Sequence, residues 1–262
     1  MSNRVFDPAL TSGLLLQTWR DGTLLDELPA ALRPETLQQG YEAQDALFAA
    51  TGDERGGWKL GVGSPAQLRA TGLPRPLVGQ IARGRCHASG ASLTLPSADP
   101  VTIECEIAFV LARDIAPAEG RQVQAQDIRH SCVTFEVVRS RFRDRRAAGW
   151  PSFTADNVGF EALIIGQAVC NGLDLDAIRR VTESAVVLVD GQIKAQALSG
   201  DNAVDPVQSL TALFAHAAER GVTLRAGDIV STGAMCQPFD IPGAGHRITA
   251  SFAGGELALQ LL

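Results

Sequence analysis

Val101-Thr102-Ile103-Glu104-Cys105-Glu106-Ile107-Ala108-Phe109-Val110-Leu111 is the most informative run in the chain. Side chains alternate faces along a strand, so Ile103, Cys105, Ile107, Phe109 and Leu111 share one face, which must be buried. Glu104 and Glu106 share the other, continued by Ala108 and Val110 and therefore only partly polar. Two neighbouring carboxylates repel unless protons or a cation intervene. A hard divalent cation takes such oxygen ligands and keeps positions for water or substrate. Taken alone, the pair also fits the wet face of a half-exposed strand.

Around this run the texture is of short apolar stretches punctuated by Gly and Pro. Strands are expected at Trp58 to Val62, Cys132 to Val138, Val158 to Ile165 and Ile229 to Thr232. Two hairpins are expected, one around Asp190-Gly191 and one around Ala253-Gly254-Gly255, joining His246–Phe252 to Glu256–Leu262. Asp205 to Arg220 reads as a helix, with Asp205 as N-cap, Pro206 in the first turn and Gly221 at the end. At the N-terminus, Asp7 to Arg20 reads as a helix whose apolar positions are Leu10, Leu14, Leu15 and Trp19. Pro34 to Thr51 reads as a second, with Leu37, Tyr41 and Leu47 or Phe48 inward and a stripe broken at Gln44 and Asp45. The expected organisation is a helical unit over residues 1–55 and a sheet-rich domain over 56–262. The class is α+β, with a mostly antiparallel, curled sheet core.

Charge and cysteine usage exclude several functions. With 29 acidic and 23 basic side chains the chain is net negative, which gives no electrostatic footprint for nucleic acid. Five widely spaced cysteines without a CxxC pair support neither a disulfide framework nor a zinc site. The segment Met1 to Gly22 fits neither a signal peptide nor a membrane span, so a soluble, cytoplasmic protein with no membrane partner is expected. The four histidines are scattered, and no GxSxG elbow is present.

Three other features could carry chemistry. Glu136, in Thr134-Phe135-Glu136-Val137-Val138, is a carboxylate among apolar residues and needs a partner, either a nearby arginine or a metal. Lys59, in Gly56-Gly57-Trp58-Lys59-Leu60-Gly61, is either an ordinary exposed lysine or a proton-transfer group with a lowered pKa. The cluster Arg139, Arg141, Arg143, Arg145 and Arg146 is either a solvated face or a site for an anionic substrate.

These segments together resemble the 2-keto-4-pentenoate hydratase and 4-oxalocrotonate decarboxylase family of the fumarylacetoacetate hydrolase superfamily. The resemblance rests on Gly57–Gly61, Glu104–Leu111, Phe135–Arg141, Ala155-Asp156-Asn157 and Thr232-Gly233-Ala234, in that order. It implies a β-roll around a Mg²⁺ or Mn²⁺ site, with Glu104, Glu106 and Glu136 as ligands and Lys59 as a catalytic group near the reacting end of the substrate. It implies Thr232, Asp156 and Arg141 as substrate-binding residues and a homo-oligomer, which could associate with a related enzyme. The implied substrate is a 2-keto or 2-hydroxydienoic acid of aromatic catabolism. The implied reaction is hydration to a 4-hydroxy-2-keto acid; the alternatives are decarboxylation of a 4-oxalocrotonate-type acid and a non-catalytic partner subunit.

The chain departs from the family pattern in several places. Arg75-Pro76-Leu77-Val78-Gly79 lacks the carboxylate of the common Pro-Asp-aromatic-Gly stretch. Ser199–Pro206 and Met235–Asp240 are also altered, and His246 stands where a Gly-Asp turn is common.

Overall fold

A computed structural model describes residues 6–262, so Met1 to Val5 of the expected helical unit lie outside the described residues. Two helices lead: α1 (Pro8–Asp21) and α2 (Leu37–Thr51). There follow β1 (Arg55–Gly61), α3 (Pro65–Thr71), β2 (Leu77–Ala82), β3 (Cys86–Ala88), β4 (Ala91–Leu93), β5 (Val101–Leu111) and β6 (Ile128–Val138). Next come α4 (Trp150–Ala155), β7 (Phe160–Asn171), α5 (Leu175–Ser184), β8 (Val186–Val189), β9 (Gln192–Gln196) and α6 (Pro206–Glu219). The chain closes with β10 (Ile229–Ala234), β11 (Phe239–Ile241), β12 (His246–Phe252) and β13 (Gly255–Leu261).

The strands form an eight-stranded sheet, in the order β2-β1-β10-β5-β6-β7-β3 with β11 beside β5, and a five-stranded sheet, β4-β13-β12-β8-β9. The α+β class stands, but the sheets are mixed. β1 runs parallel to β10, β3 to β7 and β4 to β13. These pairs join strands distant in sequence, which no local turn signal announces.

The odd-numbered face of β5 supplies Ile103, Cys105, Ile107, Phe109 and Leu111 to the main core, with Val133, Phe135 and Val137 of β6, alternate residues of β12 and β13, and α6. The expected hairpin turn at Asp190-Gly191 has φ of 51° and 82°, the left-handed pair that a two-residue turn requires.

The helical segments differ in detail from the apolar pattern. Leu10 is 58% exposed, whereas Thr11, Ser12, Leu15, Leu16 and Thr18 are buried. The Thr11 hydroxyl donates to Leu32 O at 2.6 Å and that of Thr18 to Leu14 O at 2.8 Å, so hydroxyls satisfied by carbonyls take part of the inward face. α2 starts at Leu37 rather than Pro34, because extended Thr36 caps it by accepting from Gln39 N. The break in its stripe is structural: buried Gln44 donates to Val78 O at 3.0 Å and to Thr154 O at 2.9 Å.

Candidate metal centre

Pairing of β5 with β6 sets Glu104 directly opposite Glu136, and Glu106 opposite Thr134. Like charges facing each other across strands destabilise a sheet unless something neutralises them. An oxygen from each of Glu104, Glu106 and Glu136 lies within 4.8 Å of the others. The wet-face alternative fails, since Glu106 and Glu136 are fully buried and Glu104 is only half exposed.

One oxygen of Glu106 is held and the other is bare. Ser231 Oγ donates to Oε2 at 2.5 Å and Gly233 N at 3.0 Å, while Oε1 accepts no hydrogen bond. The Gly233 amide reaches Glu106 because the β10–β5 register shifts between Ser231 and Ala234, with Gly233 at φ 105°. Neither oxygen of Glu136 accepts an aligned hydrogen bond, although Lys59 Nζ stands 2.8 Å from Oε1. Burial, then Glu136 and Glu104, push the Glu106 carboxyl well above the usual carboxylate range. Burial pushes Glu136 up to about 7 against the attraction of Lys59. Bare, buried, crowded carboxylate oxygens fit a divalent cation such as Mg²⁺ or Mn²⁺.

Lys59 is not an exposed lysine: it is buried, and Nζ also donates to Val158 O at 3.1 Å. The acidic trio by itself works against the lowered pKa expected of Lys59. Burial lowers it, but Glu136, Glu104 and Glu106 together outweigh burial and raise it. The acceptor sits in a strained turn. Asn157 and Val158 have φ of 51° and 52°, and a β-branched residue there is an outlier that costs about 1–3 kcal/mol. Asn157 is locked to β2, accepting from Gln80 N at 2.7 Å and donating to Gln80 O at 2.8 Å.

Lys59 and Glu104 open onto a cavity of about 680 Å³, walled by Val62, Trp150, Phe153, Val158 and Phe239 among others. Arg145, Arg146 and Asp240 also line it. None of the three residues expected to bind substrate lines this cavity. Thr232 Oγ1 is committed to Ile107 O at 2.7 Å. Arg141 and Asp156 are buried against each other: Asp156 accepts from Arg141 Nε, from its backbone N at 3.0 Å and from Ser140 Oγ at 2.8 Å. Their complementary charges meet within the core and leave no fork free for a ligand. Ser231 and Asn157 are positioning residues that the sequence did not single out, whereas Arg145 and Arg146 belong to the basic cluster offered as a site for an anionic substrate. Alternation across β10 was the available signal for Ser231, which faces Ala108 beside Glu106.

The chain is 28% identical to a 2-keto-4-pentenoate hydratase of Paraburkholderia phymatum over 206 residues, 78% of this chain and 77% of that protein. It is 26% identical to the TodF product hydratase of Pseudomonas putida, over 92% of this chain and 93% of that one. Its fold matches 4-oxalocrotonate decarboxylase from Pseudomonas putida G7, complexed with magnesium and adipate, at TM-score 0.84 and 20% identity over 99% and 100% of the chains. The fumarylacetoacetate (FAA) hydrolase C-terminal model matches residues 73–261, which include all three glutamates, and the chain therefore belongs to the fumarylacetoacetate hydrolase family.

Proposed function

We propose that the chain is a divalent-metal-dependent lyase that hydrates a 2-hydroxydienoate or 2-keto-4-enoate to a 4-hydroxy-2-keto acid. The observation that carries this is the convergence of three carboxylates, two of them buried with bare oxygens, beside buried Lys59 at one cavity. Glu104, Glu106 and Glu136 would hold Mg²⁺ or Mn²⁺, which supplies stabilisation of negative charge on a 2-oxo oxygen. Ser231 and the Gly233 amide fix one oxygen of the Glu106 carboxylate and leave the other without a hydrogen bond, available to a cation. Lys59, steered by Val158 O, holds or moves a proton at the reacting carbon chain. Val62, Trp150, Phe153 and Phe239 shield that chain from bulk water. Turnover of 2-hydroxypenta-2,4-dienoate with Mg²⁺ or Mn²⁺, abolished by chelator, is the expected result. Absent or chelator-indifferent turnover removes the proposal.

Decarboxylation of a 4-oxalocrotonate-type acid is the second reading, and it has a specific observation behind it. Leu77, buried at the start of β2, stands where many relatives of the hydratase type carry an aspartate. The ionisable groups on the cavity wall are Lys59, Glu104, Arg145, Arg146 and Asp240. CO₂ release compared with hydration on one preparation separates the two reactions. A non-catalytic partner subunit is disfavoured by the intact acidic trio.

A further inference from the structure

We propose that Asp240 is a second catalytic residue of this cavity, whose carboxylate takes a proton from the water that adds to C4 of the substrate. This rests on the hydratase reading above and assigns the base that the reading requires.

Hydration of a conjugated 2-oxo acid asks for a group that accepts a proton from water. One O–H bond of the water breaks as its oxygen bonds C4, and the C3=C4 electron pair shifts toward the 2-oxo group. The water's proton passes to the base and on to solvent, and C3 then takes a proton in its turn. Few side chains on the wall can serve as that base. Glu104 belongs to the acidic trio, and Lys59 is engaged by Glu136 and by Val158 O. Arg145 and Arg146 hold their protons too tightly to accept another, and Gln67, Thr71 and Gln237 are not ionisable groups of the needed kind. Asp240 is the one carboxylate left on the wall among the described residues. It comes from Met235–Asp240, a segment in which the chain departs from the family pattern.

Register places it where C4 should lie. Asp240 of β11 is directly opposite Thr102 of β5, and Thr102, Glu104 and Glu106 share one face of that strand. Thr102 and Glu104 line the cavity whereas buried Glu106 does not, so the cavity runs from the trio toward Thr102 and Asp240. Two residues along a strand span about 7 Å, a step that leads from the metal ligand Glu104 past a 2-oxo group to the carbons beyond it. The Thr102 hydroxyl donates to Asp240 Oδ1 at 2.6 Å and so fixes the carboxylate, while Oδ2 accepts no hydrogen bond among the described residues. Asp240 is exposed, unlike Lys59, which gives it both a supply of water and an outlet for the proton.

The test separates the two stages of the reaction. Mn²⁺-loaded protein is mixed with 2-hydroxypenta-2,4-dienoate in heavy water, and NMR follows deuterium entering C5 and formation of 4-hydroxy-2-oxopentanoate. Asp240→Asn keeps an acceptor for Thr102. It should bind Mn²⁺ and label C5 as wild type does, yet form the hydrated product about 10²–10⁴ times more slowly. Asp240→Glu should recover part of that loss. Hydration by Asp240→Asn at the wild-type rate overturns the proposal, as does a loss shared equally by C5 labelling, and either result leaves the lyase reading standing. If wild type labels C5 but forms no hydrated product, the hydratase reading fails and this proposal with it.

Discussion

Lys59 Nζ stands 2.8 Å from Glu136 Oε1, and both side chains are closed to solvent. The pair joins the strand β1 to the acidic row on β5 and β6, so a lysine's charge is present at the place where a metal's charge is needed. Buried pairs of this kind are held by mutual attraction against a large desolvation cost.

Lys59→Met is expected to lower kcat by about 10²–10⁴, the usual contribution of a positioned proton-transfer group. Mn²⁺ affinity should hold or rise, because a competing cation has been removed from Glu136. Steady-state kinetics alongside Mn²⁺ titration checks both. Metal affinity that collapses with the lysine would place Lys59 among the supports of the site rather than at its chemistry.

Metal binding should release protons. Burial raises Glu106 well above, and Glu136 to about 7 from, the ordinary value of 4.5, so both retain protons near neutrality that the metal must displace. Apparent affinity therefore climbs as pH rises through about 7 and levels off once the acids are ionised beforehand. In the metal-free chain the sign for stability is opposite. Between pH 4.5 and about 7 the folded state holds the Glu136 proton and the unfolded state does not, so this stabilising contribution declines as pH rises. Calorimetry in two buffers of different ionisation enthalpy measures the proton release directly.

Glu106→Gln should weaken Mn²⁺ binding by more than about 100-fold, beyond the 10–100-fold typical of groups that only support a ligand. The glutamine carbonyl can still accept from Ser231 and Gly233, while the repulsion with Glu104 and Glu136 disappears. At pH 8 the metal-free variant should melt higher than wild type, by about 2–4 °C for each kcal/mol of repulsion relieved. Unchanged metal affinity would count against the ligand assignment.

Asp156→Asn is expected to cost about 3–5 kcal/mol in chemical denaturation, because it strands the buried Arg141 charge. Mn²⁺ affinity should be close to that of wild type in the folded fraction. Loss of ligand binding without loss of stability would return Asp156 and Arg141 to a substrate-binding role.

The pattern of β5 made its two faces readable from alternation alone, and the order of the acidic segments identified the trio. Other elements depended on distant partners. Lys59 looks exposed by composition, yet β1 lies between β2 and β10, a central place that only the parallel pairing with β10 creates. Arg141 and Arg145 are chemically identical and four residues apart. One is tied up by Asp156 and the other lines the cavity, a distinction set by where the chain turns after β6. Thr232 is similar: alternation shows which way it points, but not that Ile107 O takes its hydroxyl.

Gln44 has a consequence for how the molecule comes apart. One carboxamide grips the carbonyl of Val78 on β2 and that of Thr154 on α4, and Tyr41, one turn earlier, accepts from Val78 N at 3.1 Å. Val78 neighbours Gly79, whose Cα faces Lys59 across the strands and leaves only 2.8 Å between an added Cβ and Lys59 Cδ. The leading helices thus act as a clamp on the floor beneath the lysine. Shearing α2 away should loosen that floor before the glutamates on β5 and β6 feel it, so damage at the N-terminus should impair proton handling while the metal site still loads.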